Sequence, residues 1–203
     1  TFSKIRAASQ IMANLPYVKG VRIGIKLPDT VNIMIEEESV VYAIKSSDGQ
    51  WWMMDSDGRV VEQANNAKAA TATQVLGVTL EAPTVNEKGV ATEMTPSETN
   101  ELGELIPVST TGAQRLTAAL QILKALENND IVGEAASVDV TSTEDIILWY
   151  GTRYQVNLGD TSRLDYKVDC MNDAILQMSD YQSGVLDISF TIWPNQVGYT
   201  PFA

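Results

Sequence analysis

Apolar residues recur along this chain with two alternating periods, and the switches between them mark out its elements. Ile5, Ala8, Met12 and Leu15 fall at helical spacing, and Pro16 ends that run. Val21, Ile23 and Ile25 then alternate with Arg22, Gly24 and Lys26, and after Leu27-Pro28-Asp29-Thr30 the alternation resumes at Val31, Ile33 and Ile35. A period of two on both sides of a Pro-Asp turn predicts an antiparallel hairpin with one buried face. The apolar runs Val40–Ile44, Gln50–Asp55 and Arg59–Glu62 are separated by Ser47-Asp48-Gly49 and Asp57-Gly58, which predicts a three-strand meander with tight turns. Residues 63–74 are expected to be a loop, and Val75–Leu80 a short strand. From Glu81 to Glu104 no apolar period survives, and this stretch is expected to be a mobile loop.

Order resumes with Leu116, Ala119, Leu120, Leu123 and Leu126, a helical stripe ended by Asn128-Asn129-Asp130. Strands are predicted at Ser137–Val140, Ile146–Tyr150 and Tyr154–Leu158, the last two joined by Gly151-Thr152. Asp160-Thr161-Ser162 is expected to cap a second helix carrying Leu164, Val168, Met171, Ile175 and Met178. Finally Leu186, Ile188, Phe190 and Ile192 alternate with Asp187, Ser189, Thr191 and Trp193, which predicts a last strand. The order gives an α+β fold with mainly antiparallel pairing.

Composition narrows the chemistry. The 203 residues suffice for one large or two small domains, and no run of about 18 apolar residues would span a membrane. A chain that opens on Thr1 is expected to be part of a longer product. A net charge of −12 with scattered basic residues argues against nucleic acid as a partner. Histidine is absent and Cys170 stands alone, which removes Ser-His and Cys-His nucleophiles, imidazole acid-base chemistry, His-containing metal sites and internal disulfides. No cofactor or metal is expected. Glu36-Glu37-Glu38 is most simply a solvated strand end. Asp55-Ser56-Asp57-Gly58 opens like a calcium loop, but the later ligands are missing and a turn accounts for it. Trp51 and Trp52 should face opposite sides of a strand, and Cys170 should sit on the flank of its helix. The last strand is different. With Phe190, Trp193, Tyr199 and Phe202 near its tip, it is a candidate edge for strand addition by a partner.

Several of these segments resemble the FtsQ/DivIB family of cell-division proteins. The Leu15–Glu37 stretch, with its LPDTV turn, is similar to the end of a POTRA (polypeptide-transport-associated) domain. Trp52–Val60 matches an aromatic segment followed by D-x-D-G-x-V, and Gly184–Ser189 matches G-x-I-D-hydrophobic-S. The chain departs from the pattern at Glu37-Glu38-Ser39-Val40, where the family often has Glu-Arg-x-Pro, and its 81–104 excursion is long. The resemblance implies residues 1–62 as a truncated POTRA-like domain with the start of the meander, and 63–203 as a β domain with two helices. It implies a non-enzymatic divisome scaffold outside the cytoplasm at the division septum, anchored by a transmembrane helix before Thr1. The implied partners are FtsL-like and FtsB/DivIC-like proteins. It points for partner binding to Leu186, Ile188, Phe190, Ile192, Trp193 and Tyr199. The alternatives are a POTRA-containing secretion or assembly factor, and a carboxylate-based cell-wall hydrolase, which would need two acids lining one cleft.

Overall fold

In the computed structural model, which describes residues 2–15, 17–37, 41–93, 110–191 and 195–202, these periods resolve into an α+β fold. Helix α1 (Phe2–Asn14) runs into a hairpin of β1 (Val18–Lys26) and β2 (Thr30–Glu37). The register pairs Val21 with Ile35, Ile23 with Ile33 and Ile25 with Val31, so all six share one face. The expected burial of that face is not met. Helix α1 packs against β1, but β2 is exposed along its whole length, and Ile25, Val31, Ile33 and Ile35 each expose about half of their surface.

The other strands are β3 (Tyr42–Ser46), β4 (Trp51–Met54), β5 (Val60–Ala64), β6 (Gln74–Leu80), β7 (Ala135–Asp139), β8 (Ile146–Tyr150), β9 (Tyr154–Gly159), β10 (Gly184–Asp187) and β11 (Gly198–Pro201). They form one nine-stranded sheet in the order β11-β10-β9-β8-β7-β6-β3-β4-β5. Most neighbours are antiparallel, as expected, but β3–β6, β6–β7 and β9–β10 are parallel. Parallel neighbours need a long crossover. Helix α3 (Gly112–Asn128) lies on the connection from β6 to β7, and α4 (Leu164–Leu176) links β9 to β10. The meander strands β3–β5 belong to this sheet, and β5 continues through positions 62 and 63.

Both helices cover the same sheet face. Leu116, Ile122 and Leu123 of α3 and Val168, Met171 and Ile175 of α4 pack with Tyr42, Ile44, Val138, Leu148, Val156 and Leu186 in the main core. A smaller cluster of Ala43, Met53, Val61 and Ala69 fills the opposite face at the β5 end. This explains the tryptophan pair: Trp52 leans on the main core and Trp51 on the small cluster, so both are half-buried. A capping box fixes the start of α3, with Thr111 Oγ1 accepting from the Gln114 N–H and Gln114 Oε1 from the Thr111 N–H.

Three local expectations change. The predicted loop 63–74 contains a one-turn helix, α2 (Asn66–Ala69), whose Asn65 carboxamide oxygen accepts from the Lys68 N–H; one turn is too short to show a period. The described part of the 81–104 stretch lies along β5. There the Val60 N–H donates to the Glu87 carbonyl at 2.8 Å, the Asn86 N–H donates to the Val60 carbonyl at 2.8 Å, and Ala91 is buried. Residues 94–104 lie outside the described residues. Asp160 does not cap α4, which starts after Arg163 in a left-handed conformation (φ 54°). The Asp160 carboxylate accepts instead from the Ser162 N–H and from Lys167 Nζ.

Candidate functional site

The described candidates, Leu186, Ile188, Phe190 and Tyr199, lie at the β9–β10–β11 end of the sheet, with one change to the expected geometry. The 186–193 segment is not a free edge: β10 ends at Asp187 and is paired on both sides, parallel to β9 and antiparallel to β11. Strand β11 gave no period because it is four residues long and bounded by Gly198 and Pro201. Leu186 and Ile188 are fully buried in the main core, where they hold β10 to the helices. After Asp187 the chain turns, with Asp187 Oδ1 accepting from the Ser189 N–H at 3.0 Å and from Ser189 Oγ at 2.7 Å.

Phe190 lies in the left-handed region (φ 60°) and is half-buried. Its ring centroid is 5.6 Å from that of Tyr166, and the Arg163 guanidinium lies over it at 5.7 Å. Arg163 also donates from Nη1 to Asn195 Oδ1 at 2.9 Å, which ties the start of α4 to the return into β11. Phe190 therefore clamps this return. Ile192 and Trp193 lie outside the described residues. Tyr199 stands opposite Leu186 and donates its hydroxyl to the Ser183 carbonyl at 3.1 Å.

At this end of the sheet the outermost strand among the described residues is β11. Gly184 and Ile188 direct their N–H groups to the Arg153 and Asn157 carbonyls beside β9, while the Phe202 N–H donates to the Ser183 carbonyl. Antiparallel alternation then turns the backbone of Thr200 toward β10 and that of Tyr199 and Pro201 outward. Proline has no N–H, so the open side of β11 offers one donor, on Tyr199, and two acceptors, the Tyr199 and Pro201 carbonyls. Such an edge can add a short strand, while Pro201 disfavours indiscriminate pairing. Beside it, Trp149 of β8 stacks on Phe202 with centroids 6.2 Å apart, so that exposed Phe202 adds an aromatic rim to the edge. The Trp149–Phe202 contact needs the sheet order before it can be seen.

The remaining candidates fall elsewhere. Glu36 and Glu37 are exposed at the end of β2, and Glu38 lies outside the described residues. Asp55 is buried and its carboxylate is occupied, accepting from the Arg59 N–H at 2.8 Å and from Arg59 Nε at 3.1 Å. Cys170 is half-buried on α4. A cleft of about 740 Å³ between α2 and the 132–137 segment is lined by a single carboxylate, Glu134, and does not supply the acid pair of the hydrolase alternative. Among the described residues, no three His, Cys, Asp or Glu side chains converge as a metal site, and no helix is long and apolar enough to cross a membrane.

No family model matches the chain. It is 25% identical over 185 residues to the cell division protein DivIB of Clostridium tetani, a match covering 90% of this chain and 62% of that relative. It is 34% identical over 65 residues to the cell division protein DivIB of Clostridium acetobutylicum, covering 32% of this chain and 26% of the relative. The chain thus spans about three fifths of the length of the first relative and matches a shorter part of the second. The chain is similar along nearly its whole length to one DivIB cell-division protein and across about a third of it to a second, consistent with the FtsQ/DivIB family.

Proposed function

We propose that this chain is the extracytoplasmic part of a bacterial cell-division scaffold that binds rather than catalyses. The single observation that carries the proposal is the 185-residue match to a DivIB protein. In this reading a transmembrane helix outside these residues holds it at the division septum, and its partners are FtsL-like and FtsB/DivIC-like coiled-coil proteins. The hairpin supports a POTRA-like part: its half-exposed Ile25, Val31, Ile33 and Ile35 form an apolar face of the kind that packs against further chain. We place the junction with the β part near residues 38–41, since β3–β5 pair in the large sheet.

Partner binding is assigned to β11 and its rim, with Leu186, Ile188 and Phe190 supporting that edge from behind. A partner strand would pair with the outward backbone of Tyr199 and Pro201 and cover Phe202. The test is binding of purified FtsL- and DivIC-like ectodomains, measured by biolayer interferometry. Tyr199→Pro removes the one outward N–H and is expected to weaken binding at least about tenfold, and Phe202→Asp to weaken it about threefold or more. A photo-crosslinker at Thr200 should capture the partner with the fold intact. Unchanged affinity in folded variants, with no crosslink, overturns the assignment.

A further inference from the structure

The bulge in β6 holds a cation that no carboxylate among the described residues pairs with. Strand β3 pairs Ile44 with Val75 and then Lys45 with Thr79, so residues 76–78 of β6 arch out of the ladder. Gly77 makes the arch possible with φ +82°, and its carbonyl accepts from Arg115 Nη1 at 3.2 Å. Arg115 reaches the arch from α3 and is only 6% exposed. Its Nε donates to Thr110 Oγ1 at 3.1 Å, and among the described residues Nη2 has no acceptor and no carboxylate pairs with the guanidinium. Buried guanidinium groups are normally matched by a carboxylate or phosphate in the forked geometry they fit. In a chain of net charge −12 this one is matched by a carbonyl and a hydroxyl instead.

Arg115 lines a pocket of about 320 Å³ together with Lys45, Trp51, Val75 and Val78. Lys45 Nζ is held over the Trp51 ring, 5.0 Å from its centroid, which stations a second cation on the wall. Asp139, which pairs with Leu76 of β6, accepts from the Thr141 N–H at 2.8 Å and from Thr141 Oγ1 at 2.6 Å. A pocket with one buried cation, a second at its wall, apolar walls from Trp51, Val75, Leu76 and Val78 and polar ones from Gln74, Thr79 and Thr141 suits an anion on a small, largely apolar body. We propose that the β6 bulge is a binding site for a single carboxylate on a short aliphatic body, with Arg115 Nη2 and Lys45 Nζ as its donors. The carboxylate belongs either to a free small acid or to an acidic side chain of a peptide segment. The site lies on β6 and α3, away from β11, and stands or falls independently of the partner edge.

The experiment is an NMR titration of the ¹⁵N-labelled chain, following the Arg115 Nε–H and Gly77 amide signals. The probes are isovalerate, a capped Ala-Glu-Leu tripeptide, and isovaleramide as the uncharged control. Saturable shifts are expected with at least one carboxylate and none with the amide. The apparent Kd should rise about tenfold in Arg115→Gln and about threefold in Lys45→Gln. Binding of isovalerate alone assigns a free acid, and tighter binding of the tripeptide assigns an acidic segment. Lys45 is exposed, so Lys45→Gln tests the site even if Arg115→Gln fails to fold. Absence of saturation with both carboxylates, equal shifts with isovaleramide, or an unchanged Kd in Lys45→Gln overturns the proposal.

Discussion

Lys167 shows how one residue can hold a helix start that lacks a side-chain cap. It is 1% exposed, and its ammonium donates to the Leu158 carbonyl at 2.8 Å, the Asp160 carbonyl at 2.9 Å and Asp160 Oδ1 at 2.8 Å. It thereby stitches the end of β9 to α4. Hydrogen bonds from Lys167 and then Ser162 hold the Asp160 carboxyl down at about 2, against an ordinary 3.8. A carboxyl lowered by folding stabilises the fold above its unfolded value, and that contribution is lost as pH falls through about 2. Solvent weakens the Coulombic part, since the Asp160 side chain is 57% exposed. Lys167→Met strips the buried Leu158 carbonyl of its donor and is expected to cost about 2 kcal/mol in urea unfolding at neutral pH. The variant should also lose the acid-dependent part of its stability, so its profile below pH 3.8 should be flatter than that of the parent. Parallel profiles would show that Asp160 acts without Lys167. The sequence places Lys167 one residue before Val168 in an amphipathic stripe, where a solvated lysine is the ordinary reading, and its burial follows only from the descent of β9 beside it.

At the scale of elements, long periodic segments were legible and short irregular ones were not. Helices α1, α3 and α4 and the β1–β2 hairpin carry enough apolar repeats to fix their period, and their observed spans follow the expected ones. Strand β11, helix α2 and the β6 bulge hold too few residues for a period and are set by what packs beside them. This hid the true edge: the alternation over 186–193 predicted a strand but could not show that β11 would cover it. The bulge gives an element-scale prediction that separates backbone conformation from packing. Gly49, in the β3–β4 turn, and Gly77, in the bulge, both have φ +82°, but an added Cβ at Gly49 meets nothing within 4 Å, whereas at Gly77 it falls 2.2 Å from the Thr141 backbone nitrogen. Gly49→Ala is expected to cost only the left-handed strain, about 1–2 kcal/mol. Gly77→Ala must also push β6 from the segment after β7, so at least about 3 kcal/mol is expected. Equal melting temperatures for the two variants would contradict this account of the bulge.

For the molecule as a whole, the question is what holds the α1–β1–β2 unit to the large sheet, since its hairpin face contributes little burial. Tyr17 packs on the small cluster and Val18 is buried, and polar contacts among the described residues add to this. Asn86 Nδ2 donates to the Ala13 carbonyl at 2.7 Å, and the Arg59 guanidinium reaches the Val18 carbonyl at 3.4 and 3.5 Å. The Tyr17 hydroxyl donates to Glu62 Oε1 at 2.5 Å, and Lys68 Nζ donates to both groups. Arg59 is aimed by buried Asp55, so the D-S-D-G-R turn that resembled a calcium loop serves as a bracket between the two parts. The Tyr17–Glu62–Lys68 cluster gives this junction a pH window. Burial raises the Glu62 carboxyl, but hydrogen bonds from Lys68 and Tyr17 outweigh it and leave it below 4.5. Hydrogen bonds to Glu62 and Tyr17 raise Lys68 above 10.5, and burial followed by Glu62 raises Tyr17 above 10.0. The Glu62 contribution is therefore complete above 4.5 and lost as pH falls through its lowered value; that of Lys68 is complete below 10.5 and lost as pH rises through its raised value. In amide exchange near neutral pH, the double variant Glu62→Gln, Asn86→Ala should raise exchange in β1 and β2 severalfold while β6–β9 keep their protection. The parent should show the same selective loosening on acidification below 4.5. Loosening spread equally over both sheets would mean that the unit is held by its apolar contacts, and that the polar bracket only sets its orientation.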